Sequence, residues 1–209
     1  MIAAIVPAAG LSRRMGRPKL TLPVGGIPVI ARVVSALRDG GASIVVVVAP
    51  PADAPGALDL IQAAEARGAV VVVPDLQPAE MRDSIELALN ALEVDAERDA
   101  DPRREAIVTV LLTPADSPGL QPSTVRQVLE RARAEPDRIV VPIVEGRRGH
   151  PVALPWTLAR EVRQLPAGVG VNALIAERAG RIVELPVDDP GVIADLDTPE
   201  DYARWSGRD

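Results

Sequence analysis

The sequence predicts an α/β fold in one domain over residues 1–209, Rossmann-like, with a mostly parallel twisted sheet and helices on both faces. Short apolar runs alternate with segments of helical periodicity, a pattern typical of a parallel sheet covered on both sides. A length of 209 residues suits one domain and can bury a core without disulfides or a structural metal.

Five short apolar runs are predicted as strands and three segments as helices. The runs cover residues 2–6, 44–49, 69–73, 107–112 and 138–143. The helical segments repeat apolar residues three or four positions apart, at Val29, Val33 and Leu37, at Ile85, Ala88, Leu89 and Leu92, and at Val125, Val128, Leu129 and Ala132. After residue 144 we expect an insertion with two short helices packed against the sheet, a strand near 181–185 and a terminal helix from Thr198. The highly charged segment 93–105 is predicted as a surface excursion.

The composition excludes several classes of protein. The chain has no cysteine, which rules out disulfides, cysteine-ligated metals and cysteine nucleophiles. A net charge of −6 with both signs interleaved gives no broad basic surface for nucleic acid, and aromatic side chains for base stacking are scarce. The first residues lack the basic start of a signal peptide and are too short an apolar run for a membrane span. We therefore expect a cytoplasmic protein with neither nucleic acid nor a membrane as its partner.

The segment PAAGLSRRMGRPKL directly follows the first predicted strand. It therefore lies at the carboxyl edge of the sheet, where open α/β folds bind ligands. Two glycines allow tight turns with exposed amides, and the basic residues Arg13, Arg14, Arg17 and Lys19 can neutralise an anion. The loop from Pro7 to Lys19 is predicted to hold the phosphates of a nucleoside triphosphate.

Two common phosphate-binding loops do not fit this segment. The P-loop requires lysine directly after its second glycine, whereas Gly16 is followed by Arg17 and Pro18. The dinucleotide-binding pattern GxGxxG is also absent. Taken alone, the loop could therefore equally be a solvated basic segment.

The longer run AAGLSRRMGRPKLTLPVGGIP resembles the signature of the MobA-like nucleotidyltransferases, AAGxSxRMGxxKxLLPxxGxP. The match covers about twenty residues, and it departs from the family at Pro7 and Thr21, where leucine is usual. This resemblance implies a fold like that of the nucleotide-diphospho-sugar transferases. The Ala8-Ala9-Gly10 form is similar to the molybdenum cofactor cytidylyltransferase branch, whereas the guanylyltransferase branch usually has Ala-Gly-Gly.

The resemblance also implies roles for the residues of the loop. The backbone of the Ala-Ala-Gly turn would contact the nucleoside and phosphates, Arg13 would face the β- and γ-phosphates, and Lys19 would face the α-phosphate. The catalytic residues implied are Lys19, Arg13 and Asp116. The nucleotide contacts implied in this loop are Ala8, Ala9, Gly10, Ser12, Arg13 and Lys19.

Two acidic segments are candidates for holding Mg²⁺, which takes few protein ligands and prefers carboxylates beside phosphates. Asp116 in LLTPADSPGL follows a predicted strand and matches the family's metal-binding aspartate, although a turn aspartate before proline is a simpler interpretation. The run ADLDTPEDY resembles the family's DIDTPEDL ending and makes Asp197 the second ligand, with Asp195 as the alternative. Thr198, Pro199 and Asp201 are explained by helix capping alone.

Two further segments are candidates for substrate contacts. MRDSIELAL carries the candidates Arg82, Asp83 and Ser84. Asp83 and Ser84 would hydrogen-bond the cytosine amino group or ribose, while Asp83 with Glu86 also forms a plausible capping box. GRRGHPVALP contains the chain's one histidine, His150, and resembles the family's GHPV run. It would contact the acceptor or stabilise its loop, unless it is a loop histidine bonded to backbone. The later run GVGVNAL has Asn172 where the family usually has a basic residue.

The sequence thus predicts a magnesium-dependent enzyme that transfers a nucleotidyl group, CMP from CTP by preference, to a phosphorylated acceptor such as the molybdopterin cofactor. A sugar- or polyol-phosphate nucleotidyltransferase, a molybdopterin guanylyltransferase and a nucleotide-binding regulatory module without turnover remain alternatives.

Overall fold

The structure, a computed structural model, describes residues 1–10, 12, 14–98 and 106–206, the side chains of 95–98 excepted. The strands are β1 (Ile2–Pro7), β2 (Pro23–Val24), β3 (Ile27–Pro28), β4 (Ile44–Val48), β5 (Val70–Val72), β6 (Thr109–Leu112), β7 (Ile139–Val144), β8 (Arg147–Arg148), β9 (Val152–Pro155) and β10 (Ile182–Pro186). The α-helices are α1 (Val29–Asp39), α2 (Ala57–Glu65), α3 (Met81–Arg98), α4 (Pro122–Ala134), α5 (Trp156–Ala159), α6 (Val171–Glu177) and α7 (Pro199–Ser206).

The central sheet has the strand order β10-β7-β9-β6-β1-β4-β5, with β8 paired to β7. Strand β1 lies parallel to both β4 and β6, so the chain continues to one side of β1 and later returns to the other. At such a reversal the loops after the two adjacent strands diverge and leave a crevice at their carboxyl ends. Here the crevice lies between the loop after β1 and the loop after β6.

Each central strand is buried on both faces. In β1, Ala4 and Val6 belong to one core, whereas Ala3 and Ile5 belong to the other. Helices α1, α2, α4 and α7 pack on the first face, and α3, α5 and α6 pack on the second. This arrangement confirms the predicted class, a mostly parallel sheet between two layers of helices.

The structure differs from the sequence prediction in three places. The insertion after residue 144 contributes β9 to the sheet itself, antiparallel to both β6 and β7, instead of only packing against it. Helix α2 was not predicted. The charged segment predicted as a surface excursion from residue 93 continues α3 as far as Arg98, and its remainder lies outside the described residues. Among the helices of the described ranges, none is both long and apolar enough to span a membrane.

Candidate active site

The loop after β1 starts as a continuation of the sheet and then turns sharply. Ala8 donates its N–H to the carbonyl of Val48 over 2.9 Å, so any contact between Ala8 and a phosphate cannot use this N–H. Ser12 has φ of +47° and Gly16 has φ of +66°, a left-handed conformation that is uncommon for serine. The Ser12 hydroxyl accepts a hydrogen bond from the N–H of Lys19 over 3.2 Å. The loop is thereby closed on itself, with Lys19 at its end.

The Lys19 ammonium group bridges two carboxylates from distant parts of the chain. Its Nζ lies 2.5 Å from Oδ2 of Asp116 and 2.8 Å from Oδ1 of Asp197. The other oxygen of Asp197 accepts from Arg14 over 2.6 Å. Burial alone would lower the pKa of Lys19, but the hydrogen bonds to the two carboxylates outweigh it and raise the pKa above its ordinary value. The Lys19 hydrogen bond in turn lowers the pKa of Asp197, and the nearby Arg14 charge adds to this effect.

The segment that carries Asp197 is fixed from both sides. Leu196 is fully buried in the core, and its N–H donates to the carbonyl of Asp116 over 2.9 Å. On the other side, Thr198 caps α7: its N–H and hydroxyl donate to Asp201 over 2.8 and 2.9 Å, and its hydroxyl accepts from the N–H of Asp201 over 3.2 Å. The capping interpretation of TPED is therefore correct. It also holds Asp197, one residue before the cap, next to Asp116.

Helix α7 also contacts the loop that precedes α1. The guanidinium of Arg17 lies 5.1 Å from the centre of the Tyr202 ring, a distance typical of a cation–π contact. The Tyr202 hydroxyl donates to the carbonyl of Pro23 over 2.9 Å. Together with the pairs that Asp197 makes with Arg14 and Lys19, these contacts tie the C-terminal segment to the loop after β1 and to β2.

A cleft of about 650 Å³ opens beside this ion-pair cluster. It is lined by the loop after β1, the segment between β5 and α3, the loop after β6 and Asp197; its lining residues include Pro7, Ala8, Ala9, Gly10, Ser12, Arg14, Lys19, Gln77, Glu80, Met81, Ser84 and Asp116. A second cavity of about 330 Å³ lies on the other side of the loop, between residues 16–21 and 50–60. Lys19 lines both spaces.

Gln77 is a cleft residue that the sequence analysis missed. Its side-chain amide donates to the carbonyl of Ala9 over 2.6 Å and so fixes the segment after β5 against the loop after β1. A single glutamine in an irregular loop carries no recognisable spacing. Its place shortly after β5, at the carboxyl edge of the sheet, was the one feature that could have indicated it.

The three residues predicted to contact the nucleotide at the start of α3 lie in different surroundings. Ser84 is 3% exposed and lines the cleft. Arg82 instead donates to the carbonyls of Leu165 and Pro166, over 2.9 and 2.7 Å. Asp83 is the third residue of the helix and accepts from the N–H groups of residues 79 and 80, over 3.1 and 3.0 Å. Asp83 thus caps α3 from inside its first turn, since the helix starts at Met81, three residues earlier than the Asp83–Glu86 capping box would require.

His150 lies next to the acidic cluster. Burial lowers its pKa against the opposing effects of the Leu112 carbonyl and the carboxylates of Asp195 and Asp116. The backbone N–H of His150 donates to the carbonyl of Val192 over 2.8 Å. Asp195 is exposed as a residue, yet desolvation of its carboxyl group and the charge of Asp116 raise its pKa. The GVGVNAL run forms the start of α6 on the second face of the sheet.

The donor set fits a magnesium ion that arrives with a polyphosphate. Asp116 and Asp197 supply oxygen ligands, and both reach the same ammonium nitrogen. In the part of the chain that the structure describes, no group of three or more His, Cys, Asp or Glu side chains is placed to hold a metal. Magnesium commonly binds through one or two carboxylates together with substrate phosphates and water. Arg13, predicted to face the β- and γ-phosphates, lies outside the described residues.

Comparison with known proteins identifies the family of the chain. The family model described as MobA-like NTP transferase domain matches residues 4–182. A 2-C-methyl-D-erythritol 4-phosphate cytidylyltransferase of Saccharopolyspora erythraea is 39% identical over 145 residues, 68% of this chain and 59% of that protein. The chain thus covers less than two thirds of this relative's length. A molybdenum cofactor guanylyltransferase of Rhodobacter capsulatus is 31% identical over 208 residues, 99% of this chain and 96% of that protein.

Among solved structures, Rv0371c from Mycobacterium tuberculosis is 27% identical over the whole of both chains, with a TM-score of 0.77. Another structure of that protein, with a TM-score of 0.71, is a complex with manganese. The fold and family predicted from the loop signature are confirmed, and the relatives include both cytidylyl- and guanylyltransferases. The chain therefore belongs to the MobA-like NTP transferase family of nucleotidyltransferases.

Proposed function

We propose that this protein transfers a nucleotidyl group, CMP from CTP by preference, to a phosphorylated small molecule, with Mg²⁺ as its cofactor. The observation that carries the proposal is the cluster in which Lys19 joins Asp116 and Asp197 at the mouth of the cleft. One cation and two oxygen ligands beside a glycine-containing loop suit a triphosphate and its metal. The same residues have little structural reason to meet, since they come from three separate segments.

The reaction needs no general base from the protein. A phosphate oxygen of the acceptor attacks the α-phosphorus of the nucleotide, a new P–O bond forms, and the bond to the β-phosphate oxygen breaks to release pyrophosphate. A phosphate monoester has its second pKa at about 6 and is therefore already mostly ionised near neutrality. The barrier then depends on alignment and on neutralising negative charge.

The chain's own residues supply this alignment and neutralisation. Lys19 would pair with the α-phosphate, and the backbone of residues 8–10 would border the nucleoside and phosphates. Asp116 and Asp197 would hold Mg²⁺, which neutralises phosphate charge when it is bound. Arg14 lies at the exposed rim of the cluster, where it can meet the outer phosphates.

The preference for CTP is supported by the Ala8-Ala9-Gly10 turn and by the cleft beyond it. Ala9 is almost fully buried and lines the cleft, and it carries a methyl group that a glycine at this position lacks. Ser84 and residues 77–81 line the same cleft. The Ser84 hydroxyl and backbone groups of residues 77–81 would supply small polar groups of the kind that can read the edge of a pyrimidine.

The acceptor is proposed as a class, a phosphorylated small molecule. The two curated relatives are named for such acceptors, methylerythritol phosphate and the molybdenum cofactor. A molybdopterin-type acceptor and a sugar or polyol phosphate both provide the attacking phosphate. His150 adjoins Asp116 and would face the acceptor, not the base.

Two measurements test the proposal. A thermal-shift screen of CTP, GTP, ATP and UTP with Mg²⁺ is expected to give the largest shift with CTP, and a larger shift with GTP would assign the protein to guanylyl transfer. Pyrophosphate release is then measured with a panel of phosphorylated acceptors. Asp116→Asn should reduce the rate by about a hundredfold, whereas Asp59→Asn, the same change on exposed α2, should leave it unchanged. Nucleotide binding without pyrophosphate release from any acceptor would indicate a regulatory module.

A further inference from the structure

Lys19 occupies the position between two carboxylates that a bridging cation would take. Its ammonium nitrogen lies 2.5 Å from Asp116 and 2.8 Å from Asp197, and its side chain is only 13% exposed. It is also the only lysine of the chain, which has 22 arginines. Apart from the imidazole of His150, every other basic side chain is a guanidinium, and the one side-chain ammonium group stands where two oxygen ligands converge.

We propose that Lys19 is an internal substitute for the divalent metal in the nucleotide-free protein. A metal ion enters between Asp116 and Asp197 only when a triphosphate draws the Lys19 ammonium group away. Metal and nucleotide then bind with strong positive coupling, and neither carboxylate is left without a cation at any stage. This inference rests on the proposed function because it assigns the triphosphate as the group that displaces the lysine.

The charges of the cluster support this exchange. The two carboxylates carry two negative charges, which Lys19 and Arg14 balance with two positive ones. A divalent cation approaching this balanced cluster gains little, and it meets the Lys19 ammonium at close range. Asp195 lies near Asp116 but is exposed, so solvent screens its charge. Once Lys19 pairs with a phosphate, the carboxylates regain net negative charge beside the phosphate oxygens.

The geometry leaves room for the movement of the side chain. Lys19 lines both the large cleft and the smaller cavity on the other side of the loop. The backbone of Lys19 is held by the Ser12 hydroxyl, so only the flexible four-carbon stem has to turn. The described residues offer no third acidic or histidine ligand at this point. A metal ion that binds without nucleotide would therefore have to displace Lys19 and would gain only two carboxylate ligands from the protein.

Manganese binding to the nucleotide-free protein is the first test. Free Mn²⁺ is quantified by electron paramagnetic resonance during titration of the wild type, of Lys19→Met and of Arg126→Met. Arg126 is exposed on α4 and donates to the Asp39 carbonyl, so its loss removes one positive charge away from the cleft. We expect Lys19→Met to bind Mn²⁺ at least about tenfold more tightly than the wild type, and Arg126→Met to resemble the wild type. Equal affinity of the wild type and Lys19→Met would overturn the proposal.

The single lysine allows a second test on the wild-type protein, which also decides the matter if Lys19→Met does not fold. Lysine labelled with ¹³C at Cε gives one resonance, that of Lys19. Mg²⁺ alone should leave this resonance in place, and Mg²⁺ with CTP should move it. A shift with Mg²⁺ alone that CTP does not increase would show that the metal displaces Lys19 without help.

Failure of this inference is distinguishable from failure of the proposed function. The manganese titration uses neither nucleotide nor turnover, so it reports on the exchange even in a protein without transferase activity. Conversely, pyrophosphate release could be observed in a protein whose wild type and Lys19→Met bind manganese equally. That result would support the transferase function and contradict the role of Lys19 as a substitute for the metal.

Discussion

A matched pair of substitutions in one segment separates the two candidates for the second metal ligand. Asp197→Asn and Asp195→Asn each replace a carboxylate by an amide of the same shape, two residues apart. Asp197 contacts Lys19 and Arg14 and lines the cleft, whereas Asp195 is exposed and is coupled to the cluster only through charge. We therefore expect the first substitution to abolish most of the transfer activity and the second to change it by no more than about threefold.

The size of the effect on folding follows from the exposure of Asp197. Its side chain is 39% exposed and Arg14 is 75% exposed, so solvent screens both ion pairs, and such pairs contribute about 0–1 kcal/mol each. The free energy of unfolding should fall by about 1 kcal/mol, which lowers the melting temperature by about 2–4 °C in a protein of this size. Loss of a charge partner in the transition state costs about 3 kcal/mol, a factor of about a hundred in rate. Activity should therefore disappear while the fold persists.

The assay is pyrophosphate release at saturating CTP and acceptor, repeated over a range of Mg²⁺ concentrations. For Asp197→Asn, the Mg²⁺ concentration at half-maximal rate should rise, because one of its two carboxylate ligands is gone. Melting temperatures of both variants are measured in parallel. Comparable losses in the two variants, or an Asp195→Asn variant with the larger change in Mg²⁺ requirement, would refute the assignment of Asp197.

Three further predictions concern contacts near the cleft. Gln77→Ala removes the hydrogen bond to Ala9 and should weaken CTP binding about fivefold, equivalent to about 1 kcal/mol; calorimetric titration measures this, and an unchanged Kd would show that the contact does not shape the nucleotide site. The Thr198 hydroxyl and N–H lower the pKa of Asp201 to about 2. The charged cap therefore stabilises the fold fully above about pH 4, and this stabilisation is lost progressively as the pH falls from about 4 towards about 2. The stability difference between the wild type and Asp201→Asn should therefore vanish in acid, and a difference independent of pH would contradict the shift. The buried Asp189 carboxylate accepts from Thr124 over 2.7 Å and from two backbone N–H groups, and Asp189→Asn places an amide NH₂ group against these donors. Urea unfolding should show that the free energy of unfolding falls by about 2 kcal/mol. A fall below about 0.5 kcal/mol would mean that other contacts hold the turn after β10.

Much of the fold could be predicted because the central strands are buried on both faces. A strand such as β4, with the sequence IVVVV, must be uniformly apolar, and this is visible without any partner. Strand β9 escaped prediction because its four residues, VALP, read as part of a loop, and its antiparallel position depends on the gap between β6 and β7. Helix α2 escaped because it follows a segment rich in proline, alanine and glycine that resembles a long turn. The charged end of α3 resembled a loop because charge density does not distinguish an exposed helix from an excursion.

The site was predictable where a residue belonged to a spaced motif. Lys19, Asp116 and Asp197 each stood in such a run, and the structure brings all three together. Their direct contact was not predictable, because it depends on the backbone bond from Leu196 to Asp116 that aligns two segments far apart in the chain. The contacts of Arg82 with the carbonyls of Leu165 and Pro166 were not predictable either, because they join segments about 80 residues apart that share no motif.

The choice of lysine at position 19 has a physical reason that the rest of the chain makes visible. An ammonium group is a compact charge with three donors, which can serve two carboxylates from a single nitrogen. A guanidinium is planar and spreads its charge and its donors over a wide fork, whereas the single nitrogen of Lys19 serves Asp116 and Asp197 from one point and is small enough to exchange with a metal ion. In a chain that uses arginine at 22 positions and lysine at one, a purely structural ion pair gives no reason for the exception. A cation that must exchange the two carboxylates for a phosphate during the reaction gives a reason for lysine at this position.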